Sequence, residues 1–262
     1  MVGAGLNWFD SADSYGTGKL EGRAETLLGD FQQSYTGRIP PGGVNVLTKL
    51  ALYPWRLTPG QLVSACEASR QRLGGGDDCL ALAQLHWSAA KYAPLQERAM
   101  VSGLAQIYEK GLARGVGVSN YGARELARVE AQLSAASVPL ASNQIQYSLL
   151  SFQGAPAEAK AACDDLGVSM IAYSPLGLGM LTGKYSADSG GEGKRLPPGV
   201  RGQLMGGILP KAVPLLECLE AVAEERNKTM AQVAINWVIC KVGWGCFYSR
   251  AWLAWGCLGC WR

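Results

Sequence analysis

The chain has 262 residues, of which 48% are hydrophobic and 17% charged, which suits one large or two small folded domains. Its formal net charge of +3 is small, so electrostatics give no reason to expect a nucleic-acid or membrane partner. The first ten residues lack a basic region and a long apolar core, and polar residues break the most apolar stretch, Met230 to Tyr248, so we expect neither a secretory signal nor a membrane span.

Short apolar runs alternate with amphipathic stretches along most of the chain. The runs predict strands at Leu6–Asp10, Val44–Lys49, Leu80–His86, Gly115–Ser119, Ala141–Gln146 and Val168–Ser174. The amphipathic stretches predict helices at Arg23–Tyr35, Pro59–Leu73, Leu95–Leu112, Ala123–Ala135, Ala155–Leu166, Val213–Arg226 and Met230–Lys241. Strands and helices that alternate at this spacing indicate parallel βαβ units.

Two α/β architectures are compatible with this alternation: a doubly wound open sheet and a (β/α)8 TIM barrel. A doubly wound dinucleotide-binding sheet carries the pattern GxGxxG after its first strand, and here that strand is followed by FDSADSYG. Polar residues instead recur at the carboxyl ends of several predicted strands, which is typical of barrel enzymes. The sequence therefore favours the barrel.

Four of these strand-end residues, Asp10, Tyr15, Lys49 and His86, form a plausible catalytic group. A lysine ammonium favours the ionised form of a nearby phenol, and a carboxylate keeps that lysine charged. An imidazole can hold a carbonyl oxygen and share a proton transfer. Each residue alone also has a structural interpretation, as a helix cap, a loop aromatic, a solvated strand end or a packed histidine. Their occurrence together at different strand ends favours a site.

Metal binding is not expected. Most of the eight cysteines stand among apolar neighbours, as small buried residues do in a reducing compartment. Cys257 and Cys260 have CxxC spacing, but no second pair or nearby histidine accompanies them as a zinc site requires.

The chain resembles the aldo-keto reductases, a family of NADPH-dependent barrel enzymes. The resemblance rests on GLNWFDSADSYG at 5–16, LTK at 47–49, QLHWS at 84–88, GVSNY at 117–121, NQIQYSLL at 143–150 and AYSPLGLGMLTGKY at 172–185. These motifs occur in the order the family has them and extend the resemblance over roughly residues 3–241.

The resemblance implies roles for particular residues. Tyr15 would be the general acid, assisted by Lys49 and Asp10, and His86 would orient the substrate carbonyl. The implied cofactor is NADPH (NADP), preferred to NADH. The residues implied to contact it are Ser119, Asn120 and Gln144 at the nicotinamide carboxamide, Tyr173 on the nicotinamide ring, Ser174, Pro175, Leu176 and Gly177 along the cofactor, and Gly183 and Lys184 near its phosphates.

The same resemblance predicts an incomplete barrel, in which the first and eighth strands are missing or altered. Residues 1–241 would form the partial barrel domain, and residues 242–262 an aberrant tail rich in Trp and Cys. The family binds the adenosine end of its cofactor with segments after the equivalent of Asn236, so we expect weak or no NADPH binding by this chain.

The predicted function is NAD(P)H-dependent reduction of an aldehyde or ketone to an alcohol, with the proton from Tyr15. The alternatives are a non-catalytic binding or regulatory subunit on the same scaffold, or an inactive fragment. The expected partner is a small carbonyl substrate, without nucleic acid or membrane. The expected localisation is cytoplasmic or plastid, and the sequence does not specify an oligomeric state.

Overall fold

The computed structural model describes residues 2, 6–16, 21–39, 43–75, 79–185 and 196–242. The predicted tail therefore lies outside the described residues, apart from Val242, and so does the Cys257–Cys260 pair. No helix among the described residues has the length and apolar character needed to cross a membrane.

Strands and helices alternate as predicted. The strands are β1 Trp8–Asp10, β2 Asn45–Leu50, β3 Leu82–Leu85, β4 Val116–Ser119, β5 Leu140–Gln146 and β6 Ser169–Tyr173. The helices are α1 Arg23–Ser34, α2 Pro59–Arg72, α3 Pro94–Glu109, α4 Ala123–Ala135, α5 Ala155–Leu166, α6 Val200–Glu225 and α7 Met230–Val242. Two short 3-10 turns, separated by a kink at Leu178 and Gly179, span Gly177–Thr182 after β6.

The six strands form one sheet in which their order follows the chain order. The pairings from β1 to β5 are all parallel. A doubly wound sheet reverses its strand order at a switch point, and this sheet has no such reversal among the described strands. The order is that of a (β/α) barrel, which confirms the predicted fold class.

The chain divides into two compact units. The first comprises Met1–Gln144 and Ala161–Ser169, and the second comprises Ile145–Lys160 and Met170–Arg262. In the first unit, β2, β3 and β4 are buried along their whole length. Helix α2 begins with the capping box that Thr58 and Gln61 form, with Pro59 at the first helical position. Because β2 is buried along its whole length, the side chain of Lys49 near its carboxyl end is buried as well.

In the second unit, helix α6 differs from the prediction. It begins at Val200 rather than Val213 and continues through Pro210 and Pro214. A proline inside a helix removes a backbone hydrogen bond and costs about 3 kcal/mol. Burial of Met205 and Leu209 against Met180 offsets this cost, because both α6 side chains are fully buried.

Candidate active site

The lysine at the end of β2 has its ammonium group fixed by three acceptors. Lys49 Nζ donates to Asp10 Oδ1 at 2.7 Å, to Asp10 Oδ2 at 2.6 Å and to the Ser11 carbonyl at 2.8 Å. An ammonium has three N–H donors, so its donors match these acceptors. Burial lowers the pKa of Lys49, and the charge and hydrogen bonds of Asp10 oppose that shift. Asp10 thus supports the charged form of a side chain that is only 2% exposed.

The tyrosine of the loop after β1 lies directly beside this ammonium. Lys49 Nζ is 4.8 Å from the centroid of the Tyr15 ring. The backbone of Tyr15 itself makes two hydrogen bonds, from Tyr15 N to the Ala12 carbonyl and from Ala24 N to the Tyr15 carbonyl. Tyr15 itself is 42% exposed. A phenol that a ligand can reach therefore lies beside a buried ammonium group.

The single histidine completes the group. His86 follows β3 directly, and its backbone N–H donates to the Leu50 carbonyl at 3.0 Å. Its ring lies 5.4 Å from the Tyr15 ring, edge to face at 72°. Burial, with a smaller contribution from the charge of Lys49, lowers the pKa of His86 to about 4. The imidazole is therefore neutral at pH 7. The structure brings all four predicted residues together within the first unit.

A buried ion pair that was not predicted from the sequence supports the Tyr15 loop. Asp13 accepts hydrogen bonds from the Ala51 backbone N–H at 3.1 Å and from Arg56 Nη1 at 2.6 Å. Its backbone N–H donates to the Lys49 carbonyl at 2.9 Å. Asp13 thus ties the loop after β1 to the loop after β2. The second carboxylate of DSADSY was the available sequence signal, but nothing in the sequence identified Arg56 as its partner.

A second buried carboxylate, Glu97 of α3, organises the turn after His86. It accepts hydrogen bonds from Ser88 Oγ at 3.1 Å and from the Ala89 backbone N–H at 2.6 Å. Glu97 is 7% exposed, so these contacts replace the water that its charge would otherwise bind. The turn that begins at His86 is therefore held from α3.

Three predicted cofactor residues also lie together in the first unit. Ser119 Oγ donates to the Gln144 carbonyl at 2.9 Å, and Asn120 N donates to the same oxygen at 2.8 Å. Asn120 has φ 62°, a left-handed conformation that is uncommon outside glycine. Its Nδ2 donates to the His86 carbonyl at 3.1 Å. Gly122 is the N-cap of α4, so Ser119 and Asn120 do not cap that helix.

The remaining predicted cofactor residues lie in the second unit and are described there alone. Tyr173 ends β6, and burial raises its pKa. Ser174 and Leu178 have left-handed backbones, with φ 51° and 57°. Such strain outside glycine costs about 1–3 kcal/mol and is concentrated at ligand-binding segments. The other predicted residues of the segment are Pro175, Leu176, Gly177, Gly183 and the exposed Lys184.

The polar groups present suit a nicotinamide cofactor. Gln144 is 4% exposed at the end of β5, and its side-chain amide can pair with another amide. Ser119 and Asn120 supply a hydroxyl and a second amide beside it. A carboxamide needs donors and acceptors together, which these side chains would provide. No cluster of three or more His, Cys, Asp or Glu that could bind a metal occurs in the described ranges.

The strands form a parallel α/β barrel sheet, and an acid, a lysine, a tyrosine and a histidine lie at or just beyond its strand ends. This fold and this group of residues together define the class of protein to which the chain belongs. The chain belongs to the aldo/keto reductase family, which its residues 1–246 match.

Its relatives include the chloroplastic pyridoxal reductase of Arabidopsis thaliana, which is 54% identical over 238 residues, 90% of this chain and 63% of the relative. The L-glyceraldehyde 3-phosphate reductase of Escherichia coli K12 is 26% identical over 254 residues, 90% of this chain and 68% of the relative. The chain thus spans a little under two thirds of the length of the Arabidopsis protein.

Solved structures agree on the fold. A glycerol dehydrogenase from Gluconobacter oxydans superposes with a TM-score of 0.71 at 22% identity, over 90% of this chain and 69% of the other. An aldo/keto reductase from Klebsiella pneumoniae, in complex with NADP and acetate, superposes with a TM-score of 0.63 at 23% identity, over 91% of this chain and 68% of the other.

Proposed function

We propose that the chain carries the catalytic site of an NADPH-dependent reductase that converts an aldehyde or ketone to an alcohol. The observation that supports this most strongly is the contact of the Lys49 ammonium with both Asp10 oxygens and with the face of the Tyr15 ring. A buried, charged lysine beside an accessible phenol is an arrangement suited to proton donation.

The four residues have separate roles in this proposal. Tyr15 donates its phenolic proton to the carbonyl oxygen of the substrate and regains a proton from solvent. Lys49 stabilises the phenolate that forms, and Asp10 keeps Lys49 charged and oriented. His86, neutral at pH 7, holds the carbonyl oxygen by a hydrogen bond. Bound NADPH supplies the hydride to the carbonyl carbon.

Ser119, Asn120 and Gln144 would hold the nicotinamide carboxamide, and the segment from Tyr173 to Lys184 would supply further cofactor contacts. NADPH is proposed as the cofactor in preference to NADH. The proposed domain boundary stays at residue 241, with the segment 242–262 outside the domain.

The name of the Arabidopsis relative suggests the substrate class. Because the chain is 54% identical with a pyridoxal reductase, we propose an aromatic aldehyde of the pyridoxal type as its substrate. Because that relative is chloroplastic, we propose plastid rather than cytoplasmic localisation.

The proposal is tested with purified protein, saturating NADPH and pyridoxal. The expected result is oxidation of NADPH matched mole for mole by formation of pyridoxine, identified by chromatography. A thermal shift with NADPH but no turnover of any aldehyde would contradict the proposal and favour a binding or regulatory subunit. Absence of both binding and turnover would favour an inactive fragment.

A further inference from the structure

The loop between Asp10 and Tyr15 contributes one more side chain to the site. Ser14 Oγ lies 3.0 Å from Nδ1 of His86, although the two residues are 72 positions apart. Ser14 immediately precedes the proposed acid and immediately follows Asp13, whose carboxylate is held by Ala51 N and Arg56. The hydroxyl is therefore presented to the imidazole by an anchored loop.

The backbone of His86 is fixed independently of this contact. Its N–H donates to the Leu50 carbonyl, and its carbonyl accepts from Asn120 Nδ2. These bonds fix the position of the His86 backbone, but they do not determine which ring nitrogen carries the proton. Within the described part of the chain, Ser14 is the side chain that hydrogen-bonds the His86 ring.

The direction of this hydrogen bond follows from the role proposed for His86. A neutral imidazole has one N–H donor and one nitrogen acceptor, whereas a hydroxyl can donate and accept. A carbonyl oxygen can only accept, so His86 can hold a substrate carbonyl only if Nε2 carries the proton. Nδ1 is then the acceptor, and Ser14 donates to it.

We propose that Ser14 is a positioning residue, whose hydroxyl donates to Nδ1 of His86 and so holds the imidazole as the Nε2–H tautomer that can donate to a carbonyl oxygen. This inference rests on the proposed function for the role of Nε2–H, but the tautomer itself exists without any substrate. The groups that face the imidazole are Ser14, the rings of Tyr15 and Trp87, and the charge of Lys49. Burial and the charge of Lys49 keep the ring neutral at pH 7, which is the state in which a tautomer is defined.

Nuclear magnetic resonance can read this tautomer directly, because His86 is the only histidine of the chain. In the full chain labelled with ¹⁵N-histidine at pH 7, we expect Nε2 to give a protonated, pyrrole-like shift and Nδ1 an unprotonated, pyridine-like shift. Ser14→Thr keeps the hydroxyl and should keep both shifts. Ser14→Ala should make the Nδ1–H form detectable. Ser14→Asp, whose carboxylate only accepts, should give Nδ1 a protonated, pyrrole-like shift.

Two results overturn the proposal. One is a pyrrole-like Nδ1 in the unaltered protein, and the other is the same nitrogen shifts in the Ala and Asp variants as in the unaltered chain. Neither result depends on reductase activity, so a failure of the proposed function is distinguishable from a failure of this inference. The measurement on the unaltered chain holds even where a variant does not fold.

Kinetics supply a second readout if the chain turns over aldehydes. Ser14→Ala should lower kcat about tenfold, the rate effect of one neutral hydrogen bond, without changing the KM for NADPH. Ser14→Thr should restore most of the rate. A matched control is Ser34→Ala, since Ser34 is exposed at the end of α1 and bonds only backbone carbonyls there. An equal loss in the Thr and Ala variants would contradict the role of the hydroxyl.

Discussion

The Asp13–Arg56 pair offers a quantitative prediction, because its burial separates it from ordinary surface ion pairs. The two side chains are 3% and 15% exposed and 2.6 Å apart. Asp13 also accepts the Ala51 backbone N–H, and Arg56 Nη1 also donates to the Ala51 carbonyl. The change we consider is Asp13→Asn, which keeps the side-chain shape but removes its charge.

Removing one charge of a buried, hydrogen-bonded pair leaves the other charge without compensation, which costs about 3–5 kcal/mol. An asparagine can still accept one of the two hydrogen bonds, so we expect a loss near the lower limit, about 3 kcal/mol in the free energy of unfolding. The exposed pair Arg124–Glu125 provides the control. Arg124 is 71% exposed, and its Nη2 lies 3.2 Å from Glu125 Oε1. Arg124→Ala should cost about 0.5 kcal/mol or less.

Urea denaturation of both variants measures these differences from the transition midpoints at constant slope. A double-mutant cycle with Arg56→Met should give a coupling energy of at least about 1 kcal/mol, since the two residues are in direct contact. Loss of stability in Asp13→Asn no larger than in Arg124→Ala would refute the reasoning. So would a coupling energy indistinguishable from zero.

Further predictions concern the titration and reactivity of single residues. The free energy of unfolding should fall as the pH drops from about 6.5 to about 4, because in that range the imidazole of His86 binds a proton in the unfolded chain but not in the folded one. In His86→Gln, the free energy of unfolding should depend less steeply on pH over the same range. Burial raises the pKa of the Cys66 thiol to about 12, so Cys66 should resist alkylation in native protein while the exposed Cys218 reacts. Mass spectrometry measures the labelling of each cysteine, and equal labelling of the two would contradict this prediction. Lys49→Met should lower kcat for aldehyde reduction by about 10²-fold or more, and an unchanged kcat would exclude a role for its ammonium beside Tyr15.

The sequence predicted the features that depend on local pattern. Helices Ala123–Ala135 and Ala155–Leu166 have the predicted bounds, and the six strands differ from prediction by a few residues at their ends. Asp10 ends β1, Lys49 stands one residue before the end of β2, and His86 directly follows β3. Parallel strands in chain order bring these ends to the same edge of the sheet, so the predicted residues meet.

What the sequence could not supply are contacts that depend on tertiary structure. Asp13 and Arg56 are 43 positions apart, and no periodicity connects them. Ser14 meets His86 because two loops are adjacent in space, which a strand pattern does not specify. The start of α6 was wrong for a related reason. The predicted helix began at Val213, whereas α6 begins at Val200 and continues through Pro210, because burial of Met205 and Leu209 in the tertiary structure offsets the cost of that proline.

The central claim is that Tyr15 donates the proton in an NADPH-dependent carbonyl reduction. The most direct test is the turnover of a generic aldehyde, such as nitrobenzaldehyde, at saturating NADPH for the unaltered chain, for Tyr15→Phe and for the control Tyr35→Phe at the end of α1. We predict turnover by the unaltered chain and the control, and a loss of about 10²–10⁴-fold in Tyr15→Phe. Equal rates in Tyr15→Phe and the unaltered chain would contradict the account.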